Sequence, residues 1–412
     1  MKTSFPKNKI EIVLFESVHP DGAGELEAAG FSVRVHKGAL EGEALLDEIR
    51  RAHVVGIRSK TQLTGEVLGR CERLLAVGCF CAGTNQVDLE TAAAAGVPVF
   101  NSPFSNTRSV AELTMAEIVC LHRRLTERSA GAHKGEWHKS AVGSHEVRGK
   151  TLGIIGYGHI GSQISVLAEA MGMRVLYFDI ASKLPLGNAD QAASLDDLLA
   201  ESDVVTLHVP ETGTTRGLIG VDEIARMKPG TYLINNARGP VIDLEALADA
   251  IRSKHLAGAA LDVFPEEPAR SGEAFSSPLQ GLANVILTPH IGGSTVEAQR
   301  AISMDVAQKL QRFVDTGSTM GAVNAPEVDL PAQPTGGDAR PHRILNFHRN
   351  VPGVLGQIHQ AAADLGVNVS GQYLRTFEDV GYVVIDVDPS DGEGFVERIN
   401  AIPETIRTRV LW

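Results

Sequence analysis

An α/β protein built on parallel sheets is the fold class this sequence predicts, and three observations predict it. Short apolar, β-branched runs alternate with amphipathic helical stretches through most of the 412 residues. A glycine-rich turn stands between a strand pattern and a helix pattern near the middle of the chain. The chain closes on a strand, helix, strand, strand, helix, strand order, which is a ferredoxin-like unit.

Taken in order, the first strands are Ile10–Phe15, Val33–His36, Val54–Ile57, Leu74–Cys79 and Val97–Phe100, with helical stretches such as Gly42–Arg51 and Leu89–Ala95 between them. A helix with a charged end follows at Val110–Arg123. The polar stretch Thr126–Ser140 reads as a connection or an irregular helix. A second α/β series begins at Thr151 and ends near Gly293, followed by the long amphipathic helix Thr295–Phe313. That helix is expected to return and cover the first domain, which makes the nucleotide-binding series an insertion. The domains are then residues 1–104 with 295–325, residues 105–294, a Pro- and Gly-rich linker at 326–341, and residues 342–412. The last domain has strands at Ile344–Phe347, Asn368–Leu374, Tyr382–Val387 and Ile406–Leu411.

Composition narrows the function. Hydrophobic residues make up 43% and charged residues 21%, enough apolar material for ordinary cores. The net charge of −12 argues against a general affinity for nucleic acid or an anionic membrane, so an anionic substrate needs a local basic cluster. Cys71, Cys79, Cys81 and Cys120 form no C-x-x-C pair, and no histidine cluster has zinc-ligand spacing, so reduced thiols and no metal are expected. The N-terminus lacks an apolar signal region, and no apolar run reaches the length of a membrane span. The expectation is a soluble, cytoplasmic protein.

The best-marked motif follows the strand Thr151–Ile155. Gly156-Tyr157-Gly158-His159-Ile160-Gly161 leads into a helix, and the next strand, Arg174–Phe178, ends in Asp179. This is the dinucleotide fingerprint of a Rossmann-type domain in its required context. Gly156 permits the tight turn, Gly158 lets backbone approach a pyrophosphate, and Gly161 lets the helix pack close to the strand. The helix N-terminus favours phosphate. Asp179 accepts bonds from ribose hydroxyls and repels a 2′-phosphate, so NAD is expected over NADP.

Ligands in such sheets bind at the C-terminal strand ends. The later strands end beside His208, at Arg238-Gly239, at Asp262 and at Pro289-His290. Oxidising an alcohol needs a base whose pKa lies near working pH, which suits histidine. A carboxylate beside the imidazole would orient it, and Glu267 is a candidate, with Glu266 adjacent. Arg238 is the candidate to grip a substrate carboxylate bidentately. Other bases remain open among the fourteen histidines.

Four stretches, Gly153–Gly161, Met227–Asp243, Leu256–Pro268 and Val285–Ser294, resemble the D-isomer-specific 2-hydroxyacid dehydrogenases, and the resemblance covers almost the whole chain. It is most specific in Met227-Lys228-Pro229-Gly230, Ile234–Gly239 and Pro289–Gly293. Within that family, Gly78–Asn85, Asn101–Glu112 and Lys183–Asn188 are similar to the three-domain bacterial kind. The resemblance implies a flavodoxin-like substrate domain and a C-terminal ACT domain, with NAD as cofactor. It implies His290 as acid/base, assisted by Glu267 as the acid directly before Pro268, and Arg238 on the substrate carboxylate. Cofactor contacts would come from His159, Ile160, Asp179, Asn236 through its backbone, Ala237, Arg238, Asp262, His290, Gly292 and Gly293. The implied reaction is oxidation of 3-phospho-D-glycerate to 3-phosphohydroxypyruvate, opening phosphorylated L-serine synthesis, with reduction of 2-oxoglutarate to 2-hydroxyglutarate as a side activity. Arg58, Lys60 and Lys139, with Lys37 as a further candidate, would bind the substrate phosphate, and Trp137, beside Lys139, would come to the site from a neighbouring subunit. By the same resemblance, L-serine would bind at His348, Asn350 and Asn368 across two ACT domains of a homotetramer. Gly292-Gly293 and the linker are candidate hinges. Two rival readings are a glyoxylate or hydroxypyruvate reductase of the same fold, and a non-catalytic NAD-sensing co-regulator.

Overall fold

The protein is described by a computed structural model, which covers residues 6–268, 272–331, 342–388 and 392–411. Part of the expected linker, residues 332–341, therefore lies outside the described residues. The chain forms two compact units, Met1–Ser105 with Gln299–Trp412, and Asn106–Ala298. The first domain and the C-terminal domain thus belong to one unit.

In that unit, five strands, β1 (Glu11–Leu14), β2 (Ser32–Val35), β3 (Val54–Ile57), β4 (Ala76–Cys79) and β5 (Val99–Phe100), form a parallel sheet. Their order, β2-β1-β3-β4-β5, is the flavodoxin-like one. β3 and β4 are buried at every residue, as a strand covered on both faces must be. The helix Val296–Thr316 lays Ile302, Val306, Leu310 and Phe313 onto this sheet at helical spacing, packing with Ile12, Leu14 and Phe100. Gly78 admits it: a Cβ there would stand 2.8 Å from both Val306 and Leu310. Burying each of those large side chains contributes about 1.5–3 kcal/mol.

The expected linker needs one correction. Its first residues are packed rather than free: Val328 and Leu330 are buried in the same core, and Val328 exchanges hydrogen bonds with Thr319. Two apolar residues flanked by prolines carry no helical or strand periodicity long enough to read, so composition alone suggested a tether.

The C-terminal domain is an antiparallel sheet of β13 (His342–Arg349), β14 (Val369–Phe377), β15 (Val380–Val387) and β16 (Thr405–Leu411) in the order β14-β15-β13-β16. It docks within its unit through buried polar groups. Arg343 pairs with Asp386 at 2.7 and 2.8 Å and donates to Thr316 O, Arg409 donates to Val314 O, and Tyr382 Oη donates to Gly317 O. These guanidiniums satisfy carbonyls at the helix C-terminus, where positive charge is favoured. Burial lowers Arg409 to about 10.

The second unit carries the parallel strands β6 (Thr151–Ile155), β7 (Arg174–Phe178), β8 (Asp190–Gln191), β9 (Val204–Leu207), β10 (Thr231–Asn235), β11 (Leu256–Leu261) and β12 (Val285–Leu287). Their order is β12-β11-β10-β9-β6-β7-β8, and its reversal between β6 and β9 is the switch point of a Rossmann sheet.

Candidate active site

The glycine loop sits at that switch point. Gly156 has φ +93°, and a Cβ there would lie 2.6 Å from His208 O, so only glycine fits. A Cβ on Gly161 would stand 2.2 Å from Gly156 O, which makes the helix His159–Ala170 depend on it for close approach. Gly158 is different: a Cβ there meets nothing within 4 Å. The glycine that internal packing does not require is the one at which a side chain would fill the cradle above the helix N-terminus. The residues present therefore fit a dinucleotide phosphate. Asp179 braces the loop, its two oxygens accepting from Tyr157 N at 2.8 Å and Ala181 N at 2.9 Å. Tyr157 stacks on Tyr177 with ring centroids 4.0 Å apart, and its hydroxyl accepts from Leu186 N, anchoring the Lys183–Asn188 segment.

Three loops of the same unit converge at the other strand ends. His290 Nδ1 stands 2.8 Å from Glu267 Oε2, and Glu267 Oε1 accepts from Phe264 N at 3.0 Å. The bond to Glu267 raises the His290 pKa, against the lowering effect of burial and of Arg238. Burial would raise Glu267, but the bonds from His290 and Phe264 N and the charge of Arg238 hold it below its usual value. Arg238 is exposed and close enough to act on both electrostatically. Its Nη1 rests on Ala237 O at 2.7 Å. The next residue must be glycine, since a Cβ on Gly239 would fall 1.9 Å from Phe264 C, inside the turn leading to Glu267.

Asp262 is almost fully buried, with Oδ1 accepting from Thr288 Oγ1 and Ile291 N at 2.6 and 2.8 Å and Oδ2 from Gly292 N at 2.7 Å. It clamps the loop on which His290 takes φ +53°, a left-handed conformation rare for a non-glycine residue. The bonds its side chain makes here are to this loop, and the cofactor contact expected of it is not among them. A Cβ on Gly293 would stand 2.8 Å from Asn106 Nδ2, so that backbone is closely packed too. Asn236 turns its side chain inward and donates to Thr114 Oγ1 and Glu117 Oε2, leaving its backbone for any ligand. Sequence reading missed Glu117. It is a buried carboxyl on the helix Thr107–Arg123, raised to about 7 by burial against the Asn236 bond, with Asp262 adding to the rise. An acid inside an amphipathic helix pattern was the only signal.

The competing strand-end histidine is unsuited to be the base. Burial lowers His208 to about 3, and its Nε2 is 2.9 Å from Thr206 Oγ1. It stays neutral throughout the range where His290 changes charge.

The basic residues read as phosphate ligands fall in both units. Lys37, Arg58 and Lys60 follow β2 and β3 in the first; Lys139 and Trp137 lie exposed beyond the helix Leu125–His133 in the second. In the C-terminal sheet His348 is buried, with Nδ1 3.2 Å from Asn346 Oδ1, and burial lowers its pKa. A Cβ on the cross-strand Gly381 would lie 2.2 Å from its Nε2. Asn350 donates to Glu378 O and Asn368 to Asp388 Oδ2. One chain does not bring the three together. His348 pairs with Gly381 while Val369, next to Asn368, pairs with Val387. Those positions are about 20 Å apart along β15 at roughly 3.3 Å per residue.

Residues 115–292 match the family described as D-isomer specific 2-hydroxyacid dehydrogenase, NAD binding domain. Residues 344–407 match the AHAS small subunit-like ACT domain. The chain is 53% identical to the D-3-phosphoglycerate dehydrogenase of Escherichia coli (strain K12), covering 100% of each, and 50% identical to that of Dictyostelium discoideum, covering 100% of this chain and 99% of the relative. Among solved structures, a D-lactate dehydrogenase from Aquifex aeolicus, complexed with NAD and lactic acid, matches with TM-score 0.66 at 29% identity. That match covers 77% of this chain and 100% of the other.

Proposed function

The chain belongs to the D-isomer specific 2-hydroxyacid dehydrogenase family, and we propose that its reaction is the reversible, NAD-dependent oxidation of 3-phospho-D-glycerate to 3-phosphohydroxypyruvate. The observation that carries the chemistry is the His290–Glu267 pair at 2.8 Å with Arg238 beside it. Full-length identity to relatives named D-3-phosphoglycerate dehydrogenase supports the substrate.

In the oxidative direction, neutral His290 takes the C2 hydroxyl proton, and Glu267 stabilises the imidazolium that forms. Arg238 holds the substrate carboxylate and fixes C2. Gly156–Gly161 and Asp179 would hold NAD, which when bound would supply the hydride acceptor. In reduction, protonated His290 returns the proton to the C2 oxygen. Arg58, Lys60 and Lys139, with Lys37, are the proposed phosphate ligands.

The protonation logic makes a prediction. Glu267 raises the His290 pKa, so Glu267→Gln should move it back toward the ordinary value near 6.5. Reduction needs imidazolium, and its kcat/KM falls as pH rises through the His290 pKa; in E267Q that fall should begin at lower pH. Oxidation needs neutral imidazole, so its rise should also shift to lower pH. Profiles of kcat/KM in both directions check this, and unmoved profiles would remove Glu267 from the pair's role.

We further propose that L-serine inhibits through the C-terminal domain. The separation of Asn368 from His348 and Asn350 favours a site assembled from two copies of that domain, in a homotetramer. The direct test follows NADH oxidation with 3-phosphohydroxypyruvate, hydroxypyruvate and 2-oxoglutarate, with and without millimolar L-serine. Preference for the phosphorylated ketone and suppression by serine are expected. Turnover unaffected by serine would retain the enzyme and remove the effector site. Bound NADH with no turnover would favour the sensor reading.

A further inference from the structure

Glu16 stands at the end of β1, between the loops that follow β2 and β3, and its surroundings are unusual in three ways. It is buried, at 8% exposure. Glu16 and Ser17 have φ +63° and +50°, two successive non-glycine residues in the left-handed region. Its carboxylate accepts from four consecutive backbone amides: Oε1 from Arg58 N at 3.1 Å and Thr61 N at 2.9 Å, Oε2 from Ser59 N at 3.1 Å and Lys60 N at 3.0 Å.

The other side of the same corner holds the other basic loop. Glu16 N donates to Gly38 O, Ser17 N to His36 O, and Ser17 Oγ to Lys37 O at 2.9 Å. Gln86 Nε2 fastens Arg58 from behind through its carbonyl at 2.6 Å. One left-handed dipeptide therefore ties together the loops bearing Lys37, Arg58 and Lys60.

Consecutive N–H groups curled around one point form an anion-binding nest. Here the chain's own carboxylate fills it, with charge-assisted bonds that offset the cost of burying the charge. We infer that Glu16 is the positioning residue of the substrate-phosphate site: it occupies the amide nest, sets the Lys37 and Arg58–Lys60 loops, and leaves the phosphate to the basic side chains. Glu16 thereby determines preference for the phosphorylated over the unphosphorylated substrate. The inference rests on the phosphate roles proposed for Arg58 and Lys60.

Glu16→Gly removes the carboxylate while suiting φ +63°, and Glu16→Gln keeps the shape but turns one oxygen into a donor facing two amides. The readout is the ratio of kcat/KM for 3-phosphohydroxypyruvate to that for hydroxypyruvate, with Arg58→Gln and Lys60→Gln as references. Both Glu16 variants should lower that ratio roughly ten- to hundredfold, chiefly through KM for the phosphorylated ketone. Added formate, a carboxylate small enough for the nest, should restore E16G but not R58Q. If the references lower the ratio and the Glu16 variants do not, or lose both substrates equally without formate rescue, the positioning role is overturned and the phosphate site stands. If R58Q and K60Q leave the ratio unchanged, the phosphate reading falls and this inference with it. E16Q decides the matter should E16G fail to fold.

Discussion

Replacing His290 with Asn should lower kcat by roughly 10²- to 10⁴-fold in both directions, the usual contribution of a positioned general acid or base. The effect is expected on kcat because Asn cannot exchange a proton at working pH, while the glycine loop and Asp179 proposed to hold NAD are untouched. Asp262 bonds the backbone of Ile291 and Gly292 rather than the imidazole, so the loop should keep its shape. The check is steady-state kinetics beside NADH binding by fluorescence. Near-normal turnover in H290N would overturn the assignment, and His208 is a poor substitute because burial keeps it neutral.

Arg238→Lys should be nearly as damaging, roughly 10²- to 10³-fold in kcat/KM, although it preserves the charge. A lysine gives one point of contact where a guanidinium gives a planar fork, so the carboxylate loses its fixed orientation and C2 drifts from His290. Part of the loss should appear as a higher KM, and weaker inhibition by carboxylate-bearing substrate analogues should accompany it. Arg238 is also a cation near His290. A lysine at a similar place keeps much of that field, so the pH profile should move far less than in E267Q. A variant with wild-type kcat/KM would assign the carboxylate to another cation.

Much of the architecture was legible because its signals are local. The strands Val54–Ile57, Thr151–Ile155 and Arg174–Phe178 coincide with the sequence reading residue for residue, being short runs rich in β-branched or aromatic residues. Other boundaries moved by a few residues. The short strand Asp190–Gln191 was not read, because two polar residues carry no periodicity. His290, Glu267 and Arg238 could be named because strand ends in a parallel sheet collect the chemistry, and the structure brings those three together.

What the sequence determined by itself was the fold class and the residues that backbone rules single out. Gly156 must take positive φ, Gly161 must admit a helix, and a βαββαβ pattern must close a small sheet. What only the tertiary structure decided were the partnerships of buried polar groups. Glu16 reaches amides more than forty positions away, Glu117 pairs with Asn236 across more than a hundred, and Asp262 clamps the His290 loop. Asn368 and His348, both in the C-terminal domain, stand at opposite ends of its sheet. The physical reason is that turn and periodicity signals act between neighbours in sequence. A buried carboxylate instead takes whichever N–H groups the packed sheet leaves facing it, and that is settled only once distant strands are in register.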